Sequence, residues 1–155
     1  MITPRIHVQR EGFDIKDEMA RIEKSGRDIG AIVSFTGLCR SEGGALSALE
    51  LEHYPGMAEM ELTRIAEDAM ARWPLQALTL LHRYGVITPG EDIVLVITAA
   101  AHRRAAFEAA DFLMDFLKSR APFWKKEHPA QGTPGAWVKA GAGDEAALKR
   151  WGAEE

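Results

Sequence analysis

Between His102 and Arg120 the sequence holds helical period without interruption until Pro122 stops it, and no other stretch narrows the possible folds so much. The period groups Phe107, Ala110, Met114 and Leu117 on one face and Glu108, Asp111 and Asp115 on another. A helix with one apolar face has to bury it against a second layer. Strands are available to supply that layer. Ala48 to Tyr54 alternates, with Leu49, Leu51 and His53 on one side and Glu50, Glu52 and Tyr54 on the other. Leu78, Leu80 and His82 repeat the alternation, Gly30 to Phe35 and Ile93 to Ala99 read as apolar buried strands, and Arg5 to Gln9 reads as a short edge strand.

The remaining elements follow from local signals. Asp14 can cap a helix running to about Ser25, with Ile15, Met19 and Ile22 on one face. Pro55-Gly56 turns the chain into a helix from Met57 to Trp73 whose buried stripe is Ala58, Leu62, Ile65, Ala69 and Trp73, and Pro74 closes it. Ser41 to Ser47, with its paired glycines, reads as a mobile loop, and Thr88 to Glu91 as a turn. Phe123 to His128 looks extended, Gln131 to Gly135 is a loop, Trp137 to Lys139 a short strand, and Asp144 to Trp151 a final short helix. Strands and helices mix without regular βαβ alternation, which predicts an α+β chain with a largely antiparallel sheet and packed helices. At 155 residues it fits a single domain, residues 1–155.

Composition removes several classes of function. A net charge of −4 argues against a general nucleic-acid binder. No apolar run approaches the roughly 20 residues that span a bilayer, and Met1 to Arg5 is followed by no secretory apolar stretch. The lone Cys39 cannot form an internal disulfide, and no Cys/His cluster has zinc spacing. A cytoplasmic protein without a bound metal is the expectation.

Positive charge collects in two places, at His102-Arg103-Arg104 and from Lys118 to Lys126. Lys118 in the last helical turn complements the helix dipole, and that alone would explain it. Phe116, Leu117, Pro122, Phe123 and Trp124, however, surround Lys118 and Lys125 with apolar bulk. Ammonium groups against apolar walls release a proton more readily, which suits nucleophilic or acid/base roles. His102 and Arg103 stand where the dipole disfavours cations, but where free backbone N–H groups make an anion pocket; the bland alternative is that they reach solvent. On one helix His102 and Lys118 lie roughly 24 Å apart at about 1.5 Å per residue, too far to touch one small ligand. Either they serve separate sites, or two copies pair so that one helix start meets the other's end. Arg40, at the mouth of a loop, suits phosphate or is merely exposed. Cys39 beside it invites a sulfur-carrier reading, although lone cysteines are usually packing residues. His53 and His82 fall on apolar strand faces as core or interface residues. Trp124 and Trp137 could stack on a heterocycle but are more often core, while Glu50 and Glu52 share a solvated face.

Four segments in order, Ser34-Phe35-Thr36-Gly37-x-x-Arg40, Leu51 to Met57, His102-Arg103-x-x-Ala106-Phe107 and Leu117 to Glu127, resemble the molybdopterin synthase large-subunit family, from about Gly30 to Val138. The resemblance implies an α/β-hammerhead type of α+β fold and a sulfurtransferase activity. In that reaction cyclic pyranopterin monophosphate receives two dithiolene sulfurs in molybdenum cofactor biosynthesis. It implies a small ubiquitin-like partner that delivers sulfur as a C-terminal Gly-Gly thiocarboxylate, within a heterotetramer built on a large-subunit homodimer. No metal or other cofactor is needed for the step, because molybdenum is added later. Carried over by position, Lys118 and Lys125 are catalytic and Arg40, His102 and Arg103 bind substrate, with Lys126 and Glu127 in the same binding segment. The alternative is a non-catalytic dimeric scaffold that binds a Gly-Gly tail.

Overall fold

The computed structural model describes residues 2–26, 28–139 and 145–152. In chain order, β1 (Arg5–Gln9) leads through Asp14 into α1 (Ile15–Glu23). The Asp14 carboxylate accepts from the Asp17 backbone N–H at 3.2 Å and satisfies one of the amides that every helix start leaves open. Then come β2 (Ala31–Leu38), β3 (Leu46–His53) and α2 (Met57–Arg72). At the start of α2 the Glu59 carboxylate reaches back to accept from the Gly56 N–H at 2.9 Å. β4 (Leu75–Arg83), β5 (Gly85–Ile87), β6 (Asp92–Ala100), α3 (Arg103–Arg120), β7 (Phe123–Pro129) and β8 (Val138–Lys139) complete the main body. A 3-10 helix over Glu145–Trp151 follows; Asp144, the expected start of that helix, lies outside the described residues.

The strands form two four-stranded sheets, ordered β1-β4-β6-β2 and β5-β3-β7-β8. Every pairing is antiparallel except β1 with β4, which is parallel, so the chain is α+β with mostly antiparallel sheets, as its element pattern predicts. The period-two alternation of the first sheet gives it two apolar faces. Leu78, Leu80, Val94 and Val96 pack with Leu62 and Ile65 of α2 and Phe112 and Leu113 of α3. On the other side Leu81, Leu95 and Ile97 pack with Ile22 and Met19 of α1. Each such Leu, Ile or Phe contributes roughly 1.5–3 kcal/mol when fully buried, so the α2–α3 side dominates the core. The Thr98 hydroxyl donates to the Ala106 carbonyl at 2.7 Å and ties the first turns of α3 to β6.

Several expectations are corrected by the fold. Gly30 to Phe35 reads as a buried strand, but β2 is the edge of the first sheet and Phe35 is 41% exposed, since only β6 pairs with it. Phe107 does not belong to the buried stripe of α3 and is 62% exposed. The buried residues are Ala106, Ala109, Ala110, Phe112, Leu113, Phe116, Leu117 and Ser119, and Phe107 is rotated about 100° from Ala106. The stretch from Ser41 to Ser47 is not all loop, for it closes as a turn and its last two residues belong to β3. Leu46 N–H and Gly44 N–H both donate to the Ser41 carbonyl, at 2.9 and 3.1 Å, and β3 begins at Leu46. Positive φ at Glu42, Gly43 and Gly44 makes that tight reversal possible. Among the described residues no helix is long and apolar enough to cross a membrane.

Candidate active site

A cavity of about 350 Å³ opens where the two sheets meet the C-terminal half of α3. Phe35 and Gly37 come from β2, Leu49 and Leu51 from β3, Val94 from β6, and Met114, Leu117 and Lys118 from α3. His82, at the end of β4, and Phe123 and Lys125, on β7, complete the polar and aromatic part of the wall. α3 ends at Arg120 because Pro122 cannot continue it, and the chain turns at once into β7. That corner lets two lysines seven residues apart in sequence face one space.

Pairing with β3 decides which side of β7 faces inward. Phe123 lies opposite His53, Lys125 opposite Leu51 and Glu127 opposite Leu49, so these share the cavity-side face. Trp124 lies opposite Glu52 and Lys126 opposite Glu50, on the outer face. Lys126 accordingly sits with its Nζ 4.8 Å from the Trp137 ring centre, a cation–π contact on the outside of the second sheet. Trp124 is 48% exposed and Trp137 also reaches solvent, so neither is the core residue that tryptophan usually is. Glu50 pairs with His128, whose Nε2 is 2.9 Å from Oε1, and Glu52 is exposed.

The remaining sequence candidates lie around the cavity rather than in it. Arg40 is exposed, two residues beyond Leu38, which lines the wall. Cys39 between them is buried; desolvation raises its thiol pKa, which keeps it protonated and poorly nucleophilic. Its backbone is clamped to the 88–91 turn, with its N–H donating to the Glu91 carbonyl at 2.9 Å and its carbonyl accepting from Gly90 at 2.8 Å. His102 caps α3 and Arg103 begins it, both exposed, at the end of the helix remote from Lys118. The single chain therefore unites Lys118 and Lys125 and leaves His102 and Arg103 a helix length away.

Lys118 and Lys125 bring two positive charges to a wall in which no described residue carries a carboxylate. Such a space suits an anion with an apolar or aromatic body. His82, which its strand position marks as a core residue, is the wall group missed by sequence reasoning. Its signal was the row Leu78, Leu80, His82, which puts an imidazole at the end of an apolar face. Its ring lies on Phe123 with centroids 3.9 Å apart and planes 15° from parallel. Burial lowers its pKa to about 4, assisted by the charges of Lys118 and His53, so the ring is neutral near pH 7. His53 packs against Tyr84 with ring centroids 4.4 Å apart and planes tilted by 58°, and its Nδ1 has no hydrogen-bond partner among the described residues.

Comparison with known proteins gives a consistent picture. Residues 8–120 match the family model described as MoaE protein. A relative from Mesorhizobium japonicum called molybdopterin synthase catalytic subunit is 62% identical over 151 residues, covering 97% of this chain and 95% of its own length. The solved structure of molybdopterin cofactor biosynthesis protein E from Burkholderia multivorans superposes with a TM-score of 0.87 at 43% identity, covering 99% of this chain and 100% of that one. A crystal structure of molybdopterin synthase from Staphylococcus aureus has a TM-score of 0.74 at 28% identity, covering 84% and 94%.

Proposed function

This chain belongs to the MoaE protein family, and from that membership we propose that it works as the catalytic, sulfur-transferring subunit in molybdopterin synthesis. The observation that carries the reading is the convergence of Lys118 and Lys125, from different elements, on one cavity free of carboxylates among its described lining residues. The substrate is cyclic pyranopterin monophosphate, and the sulfur donor is the C-terminal Gly-Gly thiocarboxylate of a small ubiquitin-like subunit. A thiocarboxylate is an anion with a narrow, flexible stem, so it enters between apolar walls and is held by the two ammonium groups. Lys118 and Lys125 orient the sulfur against the pterin and move protons as each C–S bond to the pterin forms and water cleaves the acyl C–S bond, leaving the tail as a carboxylate.

Arg40, His102 and Arg103 hold the substrate phosphate, the last two through the open amides at the start of α3 as well as through their side chains. The distance of His102 and Arg103 from Lys118 supports a site shared by two copies of the chain, one giving the lysines and the other the start of α3. Glu127 continues the inner face of β7 beyond Lys125, and Lys126 backs the same segment from outside. The protein works in the cytoplasm, as a homodimer flanked by two small subunits, and needs no metal for this step.

Mixing the purified chain with the thiocarboxylated small subunit and cyclic pyranopterin monophosphate tests the proposal. Dithiolene product is followed by the fluorescence of its oxidised pterin. The expected result is turnover by the native chain and a loss on the order of 100-fold or more in Lys118→Ala and in Lys125→Ala, the scale of a lost acid/base or orienting group. Tail binding without product would turn the chain into a scaffold and overturn the catalytic reading.

A further inference from the structure

One group in the cavity wall has no part in the roles assigned above. His82 closes the row of β4 side chains that faces α3 and lines the cavity together with Lys118. Its Nδ1 is 2.8 Å from the Arg83 carbonyl oxygen. A carbonyl can only accept, so the ring proton sits on Nδ1 and Nε2 keeps its lone pair. The stack on Phe123 fixes the plane of the ring, and Nε2 has no hydrogen-bond partner among the described residues. The cavity therefore holds a fixed acceptor that no described residue occupies, beside a lysine that can only donate.

We propose that His82 is a positioning residue for sulfur transfer: its Nε2 accepts a hydrogen bond from the Lys118 ammonium and aims that group at the reacting sulfur. The proposal rests on the catalytic role of Lys118 put forward above. Three properties of the ring suit it to the task. It stays neutral, because burial disfavours its charged form, so it receives an ammonium where an imidazolium would repel one. Its donor edge is already committed to Arg83, so it cannot turn around and compete with Lys118 for an anion. Of the two lysines, Lys118 is the one whose charge acts on the ring, whereas Lys125 lies two residues past Phe123 on β7. A long, flexible side chain at the exposed end of α3 thus gains a defined direction from a rigid one in the sheet.

The test uses the assembled two-subunit enzyme and steady-state kinetics. His82→Phe keeps an aromatic ring on Phe123 without an acceptor, whereas the side-chain amide of His82→Gln offers an acceptor near the place of Nε2. The expected result for His82→Phe is a fall in kcat of roughly tenfold to 100-fold, the scale of a misaimed catalytic group, with KM for the pterin within about twofold. His82→Gln should recover most of that loss, an outcome that a purely structural ring would not produce. His82→Leu replaces the phenylalanine variant if the latter does not fold, as judged by circular dichroism. Native kcat in the apolar variant, a loss confined to KM, or a glutamine variant as slow as the apolar one would overturn the proposal. Lys118→Ala, measured alongside, separates the two readings. Full activity there removes the role of Lys118 itself, while an inactive Lys118→Ala beside a fully active His82→Phe removes only that of His82.

Discussion

Gly37 shows how little room the cavity wall leaves at the level of a single side chain. A Cβ added there would stand 2.8 Å from Val94 Cγ1, and a β-branched valine in a strand has few other rotamers to adopt. Gly37→Ala should destabilise the fold by about 1–3 kcal/mol and lower kcat/KM, because both residues line the site; urea unfolding and steady-state assays check the two effects. His82 supplies a second prediction. Its pKa is lowered from 6.5 to about 4 in the folded chain, so between those values the unfolded chain binds a proton that the folded chain refuses. The stability this leaves intact above pH 6.5 is lost as pH falls toward 4, by at most about 3 kcal/mol for one group. Urea midpoints at pH 7.5 and pH 4.5 should differ more for the native protein than for His82→Gln. The apolar setting that Lys118 and Lys125 share at the cavity was legible in the sequence, because a proline and aromatic residues surround them. The place of His82 in the cavity wall was not, since which strand end meets which helix end depends on contacts distant in sequence.

Elements were readable where their signals are local. The helix α1 began where Asp14 predicts, and losing that cap should cost about 0.5–2 kcal/mol, so Asp14→Ala should lower the melting temperature by several degrees without altering activity, since α1 lies across the first sheet from the cavity. The alternation of β3 and β4 put Leu51 and Leu80 inside as expected. β5 went unseen because three residues are too few to show a period. The sequence period runs the apolar face of α3 through Phe107, because a large apolar residue normally marks the inside. The small residues Ala106, Ala109 and Ala110 take that place, and they let α3 approach β6 closely. Trp124 departs from expectation for the same reason, as size favours burial but the pairing of β7 with β3 turns it outward, and Trp137 also reaches solvent.

For the whole molecule, the α+β class followed from the mixed order of elements, but the division into two sheets and the parallel docking of β1 on β4 did not. Both depend on pairings between residues far apart in the chain. The length of α3 was legible, and it sets the most demanding prediction. If the site is shared between two copies, neither Lys118→Ala nor His102→Ala should turn over well alone. Mixed and allowed to exchange subunits, they should recover roughly a quarter of native activity, because half the dimers are mixed and each of those has one intact site. Strict additivity of the two unmixed samples would rule the sharing out. The two sides of β7 carry one more consequence. Lys125 and Lys126 are neighbours of identical chemistry, yet one faces the cavity and the other Trp137, and the only thing that sorts them is parity. Lengthening or shortening the Ala121-Pro122 corner by one residue would exchange the inner set for the outer set and send Trp124 and Lys126 inward. A change of two would leave the sorting as it is. Mutation can therefore alter the kinds of residue along this corner far more freely than it can alter their number by one.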